Sequence, residues 1–453
     1  MKLKSAFDLN RGEVVSLIGA GGKTSLLVSM GYELAEDGWR VLATTTTNLT
    51  EEQLGFFPCA LKADADAAAI SEALNENQFV LLYDEVRAGR VYGPPLEWTK
   101  QLLDRVDSDI LLVEADDSCG LPFKAPLAGE PRIPAETSLV VSVASLSALG
   151  APLDADHIYN PRAMIERYGF VENSPVKSPW LAQVLRDEDL GLSGVPDDAR
   201  VLVYLNQTPE RGYVRGRARL IARLSLQSKR ISAVALGSAR GAEPVHEVQR
   251  PIGALVLAAS DAQSASLSAI LQPAERGRAA VAHVTEKVFR SRIDHVRVIT
   301  GQRASAARQA VQHLGVKIAH NRAWKTGGFV SSLRAGLQSL PEHVAAVIVL
   351  PGDHVQLQPK TIYQLLTLYA RGHGEFLIPR FQGWSGYPVL IGNRYWADIL
   401  KLPSQLGFSA LAEQFAEFIT YLDVDSDYVL RRADLGDASR LLSLTNSIRD
   451  RGR

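Results

Sequence analysis

The feature that most constrains the fold is a glycine-rich segment, residues 19–25, which lies between an apolar run and an amphipathic stretch. The run 13–18 predicts a strand, and residues 24–36 place apolar side chains on one helical face. Glycines let the backbone turn tightly, and the following helix N-terminus adds unpaired N–H groups that can bind phosphate. The order strand, glycines, lysine, threonine, helix therefore predicts a phosphate-binding loop, or P-loop.

The residues of this loop have separate expected roles. Lys23 is expected to reach the terminal phosphates of a nucleotide, and the Thr24 hydroxyl to bind a magnesium ion. The strict pattern has glycine where this chain has Leu17, so the loop is a variant, and the alternative is a glycine-rich turn with an unrelated lysine. The nucleotide-binding candidates in the loop are Gly19, Gly21, Gly22, Lys23, Thr24 and Ser25.

Apolar runs alternate with helical patterns along the whole chain, which predicts parallel sheets covered by helices on both faces. The fold class expected is α/β, with two consecutive doubly wound domains. No periodic pattern is found between about 238 and 250. We therefore place a P-loop NTPase-like domain at 1–240, a linker at 241–250 and a second α/β domain at 251–453.

An acidic turn, residues 114–118, follows the predicted strand 110–113. Ligands of open α/β sheets bind at the carboxyl ends of strands, so a carboxylate there can bind magnesium. Asp116 is the first candidate and Glu114 the second, and a solvated turn is the alternative. Lys23 and Asp116 are the expected catalytic residues, with Thr24 and Asp116 as metal ligands.

Further polar residues occur near the ends of predicted strands. Thr45 and Thr46 end a strand expected to lie beside the loop and could face phosphate or metal, although threonine also simply suits strands. Lys124 could neutralise an anion or be solvated. Asn206 could bind a purine edge, and Pro209 stands where an aspartate would select guanine, so ATP and GTP both stay open.

The composition indicates an ordinary globular protein. Hydrophobic residues make up 46% and charged residues 22%, and the net charge of −1 gives no field that attracts nucleic acid or membranes. There is no apolar run of about 18 residues and no signal-peptide pattern at the start. We therefore expect a cytoplasmic protein with neither nucleic acid nor membrane as a partner.

Separated motifs of the first 240 residues closely resemble, in order, the selenium-dependent hydroxylase accessory proteins (YqeC-like). The motifs are residues 19–25, 40–47, 113–116, 120–126, 130–134 and 206–207. The resemblance implies a role in maturing selenium-dependent molybdenum hydroxylases. Two positions depart from the family pattern: Asp117 replaces a glycine, and Gly129 replaces a histidine.

From about residue 251 the chain is similar to MobA/MocA-like nucleotidyltransferases, which attach CMP or GMP to molybdenum cofactor. The matching stretches are 255–259, 321–327, 331–336, 347–353 and 378–389. The resemblance implies a Rossmann-like nucleotidyltransferase sheet, metal ligation by Asp353 and Asp434, and a cofactor pocket at Gly383, Gly386 and Pro388.

The second half departs from that family where a loop should hold the triphosphate. The family has glycines, an arginine and a lysine after its first strand, whereas residues 256–274 contain none of these and Asp261 adds negative charge. His354, Tyr387 and Arg432 also differ from the family pattern. We therefore expect nucleotidyl transfer to be lost or greatly weakened. For Asp353, the alternative to metal ligation is that it is a loop residue that binds no metal.

The leading interpretation is an NTP-binding, NTP-hydrolysing maturation factor for molybdenum hydroxylases. Its cofactors would be Mg²⁺ and ATP or GTP, and its second half would bind molybdenum cofactor or dock the hydroxylase. One alternative is an active CTP:molybdenum cofactor cytidylyltransferase that borrows charge from Arg276 or Arg278. Another is a nucleotide-gated scaffold without turnover.

Overall fold

The alternating pattern becomes two sheets in the computed structural model, which describes residues 1–259, 269–274, 277–291 and 293–431. The chain divides into a first unit, Met1–Gln249, and a second unit, Arg250–Arg453. No helix among the described residues is long and apolar enough to cross a membrane.

The first unit contains twelve strands and seven α-helices. The strands are β1 Glu13–Gly19, β2 Val41–Thr45, β3 Asn48–Thr50, β4 Cys59–Lys62, β5 Phe79–Tyr83, β6 Glu85–Arg87, β7 Arg90–Tyr92, β8 Ile110–Glu114, β9 Leu139–Ser145, β10 Arg200–Asn206, β11 Ile231–Gly237 and β12 Val245–Gln249. The helices are α1 Leu3–Phe7, α2 Lys23–Glu36, α3 Ala67–Asn77, α4 Trp98–Arg105, α5 Pro161–Tyr168, α6 Ser178–Leu185 and α7 Tyr213–Ser225.

Nine of these strands form the main sheet, in the order β4-β5-β2-β8-β1-β9-β10-β11-β12. Every neighbouring pair is parallel except β11–β12, which is antiparallel. Strands β3, β7 and β6 form a small antiparallel sheet. The carboxyl ends of β8, β1, β9, β10 and β11 therefore meet along one edge of the main sheet.

Apart from Ser16 and the terminal residues, β1 is apolar, so its side chains on both faces of the sheet must be buried. Helices cover both faces accordingly. Leu17 packs with Leu26 and Met30 of α2 on one face. Ile18 belongs to the cluster on the other face, which includes Leu74 of α3. Burying a leucine contributes about 1.5–3 kcal/mol, so these contacts fix the start of α2 at the end of β1. The doubly wound α/β class is confirmed.

In this unit β8 lies between β1 and β2 and pairs with both. The segment 241–250 is more than a linker, since β12 lies within it and extends the sheet. β12 carries a buried charged residue, Glu247, which hides it from a search for apolar runs.

The second unit has the same layered plan. Its strands are β13 Ile252–Ala258, β14 His295–Thr300, β15 Lys317–His320, β16 Ala346–Pro351, β17 Phe376–Phe381, β18 Trp384–Ser385, β19 Val389–Gly392 and β20 Ile419–Asp423. Its described helices are α8 Ala280–Arg290, α9 Ala304–Val311, α10 Phe329–Leu337, α11 Pro359–Ala370, α12 Trp396–Lys401 and α13 Phe408–Gln414.

Its sheet has the order β15-β14-β13-β16-β19-β17-β18, with β20 beside β17. Strands β13 to β16 are mutually parallel, and β19 is antiparallel to both β16 and β17. Val256 packs towards α8 and α11, and Leu255 packs towards α10 on the opposite face. Residues 260–268, Arg276, Arg432 and Asp434 lie outside the described residues.

Candidate functional site

The glycine-rich loop adopts backbone conformations that favour glycine. Gly19, Gly21 and Gly22 have φ values of +84°, +80° and +121°. A Cβ atom on Gly19 would lie 2.3 Å from the Val143 carbonyl oxygen, and one on Gly21 would lie 2.4 Å from the Ser145 Cβ. The loop therefore needs glycine at these positions both for its turn and for its close approach to β9.

The backbone amides of residues 21–25 form a run of unused donors at the start of α2. The amides of Gly19 and Ala20 donate to Asp116 Oδ2 at 2.9 Å and to the Val143 carbonyl at 2.8 Å. Those of residues 21–25 donate to no acceptor in the part of the chain that the structure describes, and the helical ladder begins with Leu26 donating to Gly22. Such a run at a helix N-terminus is an anion-binding arrangement.

Lys23 is buried beneath this run and folds back over the start of the loop. Its ammonium donates to the Gly19 carbonyl at 2.9 Å and to the Ser118 hydroxyl at 3.2 Å. It also lies 3.9 Å from Glu114 Oε1. A phosphate in the loop would offer this ammonium stronger acceptors than a neutral carbonyl and a hydroxyl.

Glu114 ends β8 with one carboxylate oxygen unused. The side chain is buried, and its Oε2 atom accepts no hydrogen bond from the described residues. Burial raises the pKa of this carboxyl group, and the nearby Lys23 and Thr24 partly oppose the shift. The Thr24 hydroxyl lies close by and accepts a hydrogen bond from Gln53 Nε2 at 3.2 Å. An orphaned buried carboxylate oxygen beside a threonine hydroxyl suits a cation.

Asp116 occupies a different environment from the one expected of a metal ligand. Its Oδ2 atom accepts from the Gly19 amide, and its Oδ1 atom accepts from the Lys124 ammonium at 2.6 Å. Burial raises the pKa of Asp116, and Lys124 opposes the shift. Both oxygens are therefore engaged in holding the start of the loop.

Lys124 is neither solvated nor free to bind a substrate anion. Besides Asp116, its ammonium donates to the Asp117 carbonyl at 2.6 Å and to Glu130 Oε2 at 2.9 Å. The side chain is buried and lies over the Tyr159 ring. Three bonds use all three donors of an ammonium group, so Lys124 serves this network.

The threonines and Asn206 bind backbone groups around the loop. Thr45 donates to the Glu114 carbonyl at 2.9 Å, and Thr46 donates to the Arg132 carbonyl at 2.7 Å. Asn206 donates to the Gly21 carbonyl at 2.7 Å and accepts from the amides of Gln207 and Ala239. Its oxygen and one amide hydrogen are thus spent on holding the loop to the ends of β10 and β11.

The structure adds Ser118 and Arg240 to the site. Ser118 is buried and accepts from Lys23, and Arg240 Nε donates to the Ser25 hydroxyl at 3.1 Å. No periodic pattern in the sequence indicates a functional role for either position. Ser118 lies in the acidic turn, and Arg240 precedes the glycine of a segment that was expected to be a linker.

In the second unit, the expected residues lie in different environments. Asp353 is fully buried just after β16. Gly383 is exposed in the turn between β17 and β18, whereas Gly386 and Pro388 are buried. A Cβ atom on Gly386 would lie 2.5 Å from the Val429 carbonyl oxygen, so this position requires the absence of a side chain.

No group of three or more His, Cys, Asp or Glu side chains that could hold a metal ion occurs among the described residues. A magnesium ion in the first unit would therefore have few protein ligands. This is the usual situation for magnesium bound together with a nucleotide, because phosphates and water complete its shell.

Two family models match the chain. The model described as YqeC protein matches residues 15–162, and that described as MobA-like NTP transferase domain matches residues 254–418. The chain carries a YqeC domain followed by a MobA-like NTP transferase domain. The YqeC domain contains the glycine-rich loop, Glu114 and the Lys124 network.

Individual proteins are similar to parts of the chain. The "Uncharacterized protein YqeC" of Escherichia coli (strain K12) is 29% identical over 197 residues, which is 44% of this chain and 77% of that protein. Rv0371c from Mycobacterium tuberculosis H37Rv is 20% identical, with a TM-score of 0.37 over 43% of this chain and 98% of its own. A Methanothermobacter nucleotidyl transferase is 18% identical, with a TM-score of 0.35 over 44% of this chain and 98% of its own. A YqeC domain joined to a MobA-like domain fits a nucleotide-related accessory role.

Proposed function

We propose that the protein binds and hydrolyses a nucleoside triphosphate, ATP or GTP, with Mg²⁺, as an accessory factor in the maturation of molybdenum hydroxylases. The observation that carries the proposal is the run of unused amides at residues 21–25, with the buried ammonium of Lys23 beneath it. Neutral ligands have no need of this arrangement, whereas polyphosphates do.

The residues divide the work around the phosphates. The amides of 21–25 hold the polyphosphate, and Lys23 exchanges the Gly19 carbonyl for the terminal phosphates. The Thr24 hydroxyl and Glu114 would hold magnesium, and we assign this role to Glu114 in preference to Asp116. A bound magnesium ion would neutralise charge on the phosphates during in-line attack by water.

Asp116 has a positioning role in this proposal. It links the Gly19 amide to the Lys124 ammonium, so the loop is held in shape before any ligand arrives. Asn206 acts in the same way from the other side through the Gly21 carbonyl. Both residues contribute to binding by keeping the amides in place.

The MobA-like domain would bind molybdenum cofactor through the segment that holds Gly383, Gly386 and Pro388, or dock a hydroxylase. The segment 256–274 has no arginine, lysine or glycine to hold a triphosphate. Charge-assisted hydrogen bonds to phosphate are worth about 1.5–3 kcal/mol each. Their loss supports binding without nucleotidyl transfer in this half.

Replacing Lys23 by alanine tests the proposal. Calorimetric titration of the full chain with ATP and with GTP, in the presence of Mg²⁺, should show binding that weakens by about 10–100-fold in Lys23→Ala. The exposed Lys100→Ala is the matched control and should bind as the wild type does. Equal affinities in wild type and Lys23→Ala would reject the site.

An assay of phosphate release distinguishes nucleotide hydrolysis from a nucleotide-gated scaffold without turnover. We expect magnesium-dependent release of phosphate by the wild type and none by Lys23→Ala. Nucleotide binding without any release would support the scaffold alternative. Pyrophosphate release from CTP that depends on molybdenum cofactor would instead support the cytidylyltransferase.

A further inference from the structure

A polar cavity of about 330 Å³ lies beside the glycine-rich loop, on the side away from Glu114. The loop forms one wall. The ends of β9, β10 and β11 contribute Ser145, Gln207 and Ala239, and the segment after β8 contributes Gly120 and Pro122. Pockets for small molecules have volumes of roughly 300–1,000 Å³ and lie at the carboxyl ends of parallel strands. The cavity begins where the unused amides are, so a ligand bound by those amides would extend into it.

Arg240 is an exposed residue at the rim of this cavity. Its guanidinium donates to the Ser25 hydroxyl in the first turn of α2. That end of α2 carries the positive end of the helix dipole, and Lys23 is nearby. Arg240 forms no ion pair with any carboxylate in the part of the chain that is described. An anion bound at the start of α2 would therefore find a guanidinium at the rim that is not already paired with a carboxylate of the described residues.

The exposed Gln207 lines the cavity with a side-chain amide that Ser145 holds through its oxygen. The Ser145 hydroxyl donates to Gln207 Oε1 at 2.8 Å, and Ser145 is held in turn by the amide of Ser147 at 3.2 Å and by its hydroxyl at 2.9 Å. With its oxygen engaged, Gln207 offers its NH₂ group as a donor. Heterocyclic bases carry ring nitrogens or keto oxygens that accept such bonds.

We propose that this cavity is the nucleoside pocket of the site, with Gln207 as a donor to the base and Arg240 as a ligand of the phosphate nearest the nucleoside. The inference rests on the proposed function and gives it a direction. The terminal phosphates lie towards Glu114, and the nucleoside lies towards β10 and β11. The pocket recognises a nucleoside triphosphate by hydrogen bonds, since none of its lining residues is aromatic.

Calorimetry with two ligands tests this direction on the full chain with Mg²⁺. The ligands are inorganic tripolyphosphate and whichever of ATP and GTP binds more tightly. Gln207→Ala should weaken the nucleotide by about tenfold and leave tripolyphosphate unchanged, because the latter has no base. Arg240→Ala should weaken both ligands by about tenfold. Arg223→Ala and Gln101→Ala, both exposed and remote in sequence from the loop, are matched controls.

The outcomes separate this inference from the proposed function. Wild-type nucleotide affinity in both Gln207→Ala and Arg240→Ala, together with weakened binding in Lys23→Ala, would overturn the pocket and leave the phosphate site standing. No nucleotide binding by the wild type, or full binding by Lys23→Ala, would reject the proposed function itself. Each variant should unfold at the same temperature as the wild type, which shows that it is folded, before its affinity is compared.

Discussion

Glu114 and Asp116 are two buried carboxyl groups at the end of one strand, and they differ in what donates hydrogen bonds to them. Asp116 receives the Gly19 amide and the Lys124 ammonium, whereas one oxygen of Glu114 receives nothing from the described residues. The sequence predicted an acidic site here, and the structure contains one. The sequence could not decide between the two residues, because the decisive partner of Asp116 lies eight residues further along in an irregular segment.

The buried oxygen of Glu114, unpaired among the described residues, should lower the stability of the folded protein. Burial raises the pKa of Glu114, so the folded protein is most stable below the ordinary glutamate pKa and loses stability as pH rises through the raised value. Glu114→Gln removes that loss. We expect the variant to be more stable than the wild type at pH 7–8 by on the order of 1 kcal/mol.

The same variant should lose magnesium-dependent phosphate release by about 100-fold, since a neutral amide is a poor magnesium ligand. Thermal unfolding between pH 5 and 8, without nucleotide, and a phosphate-release assay measure the two effects. Glu97→Gln, at an exposed position, is the control. Parallel stability curves for wild type and Glu114→Gln would contradict the assigned burial.

At the scale of elements, the strands that are purely apolar could be predicted closely, and the others could not. The predicted strands 13–18 and 110–113 are the observed Glu13–Gly19 and Ile110–Glu114, each one residue longer than predicted. β12 was missed because Glu247, one of its buried positions, is charged. Its ion-pair partners Arg215 and Arg219 lie on α7. A local sequence pattern cannot predict an ion pair between a helix and a strand that is distant in sequence.

The Glu247 cluster makes β12 part of the first unit. Its carboxylate accepts from Arg215 Nη2 at 2.7 Å and from two nitrogens of Arg219 at 2.6 and 2.7 Å. Burial opposes ionisation of Glu247, but the combined effect of the two arginines is larger, so the pKa of Glu247 is lowered. Glu247→Ala would leave the buried Arg215 charge uncompensated, which costs about 3–5 kcal/mol.

Chemical denaturation at pH 7 measures this cost, with the exposed Glu243→Ala as control. The sign with pH follows from the lowered pKa. The contribution of Glu247 is present above the ordinary glutamate pKa and disappears as the solution is made more acidic. A Glu247→Ala variant as stable as Glu243→Ala would show that the cluster is not formed.

At the scale of the whole molecule, the sequence predicted two α/β units, and the structure has two, but the boundary moved. The sequence placed the end of the first domain at 240, and the structure divides the chain after Gln249. The order of strands was also beyond the sequence, because β1 pairs with β8 across a long insertion that holds β2 to β7. Resemblance of motifs named the domains; it did not give their edges.

Two fragments test the boundary. A fragment of residues 1–249 should fold cooperatively and bind the same nucleotide as the full chain, since it contains β12 and the Glu247 cluster. A fragment of residues 1–240 lacks both and should unfold more easily by several kcal/mol, about 3 or more. Circular dichroism during denaturation compares them. Equal stability of the two fragments would restore the boundary at 240.

The open amides at residues 21–25 have a practical consequence for anyone who purifies this protein. If these amides bind the phosphates of a nucleotide as proposed, sulfate or inorganic phosphate from a column buffer should compete for the same donors. Affinities measured in such buffers will be competition values and will understate the true ones. Exchange into chloride or Hepes before titration should reveal the difference as a dependence of apparent affinity on oxyanion concentration.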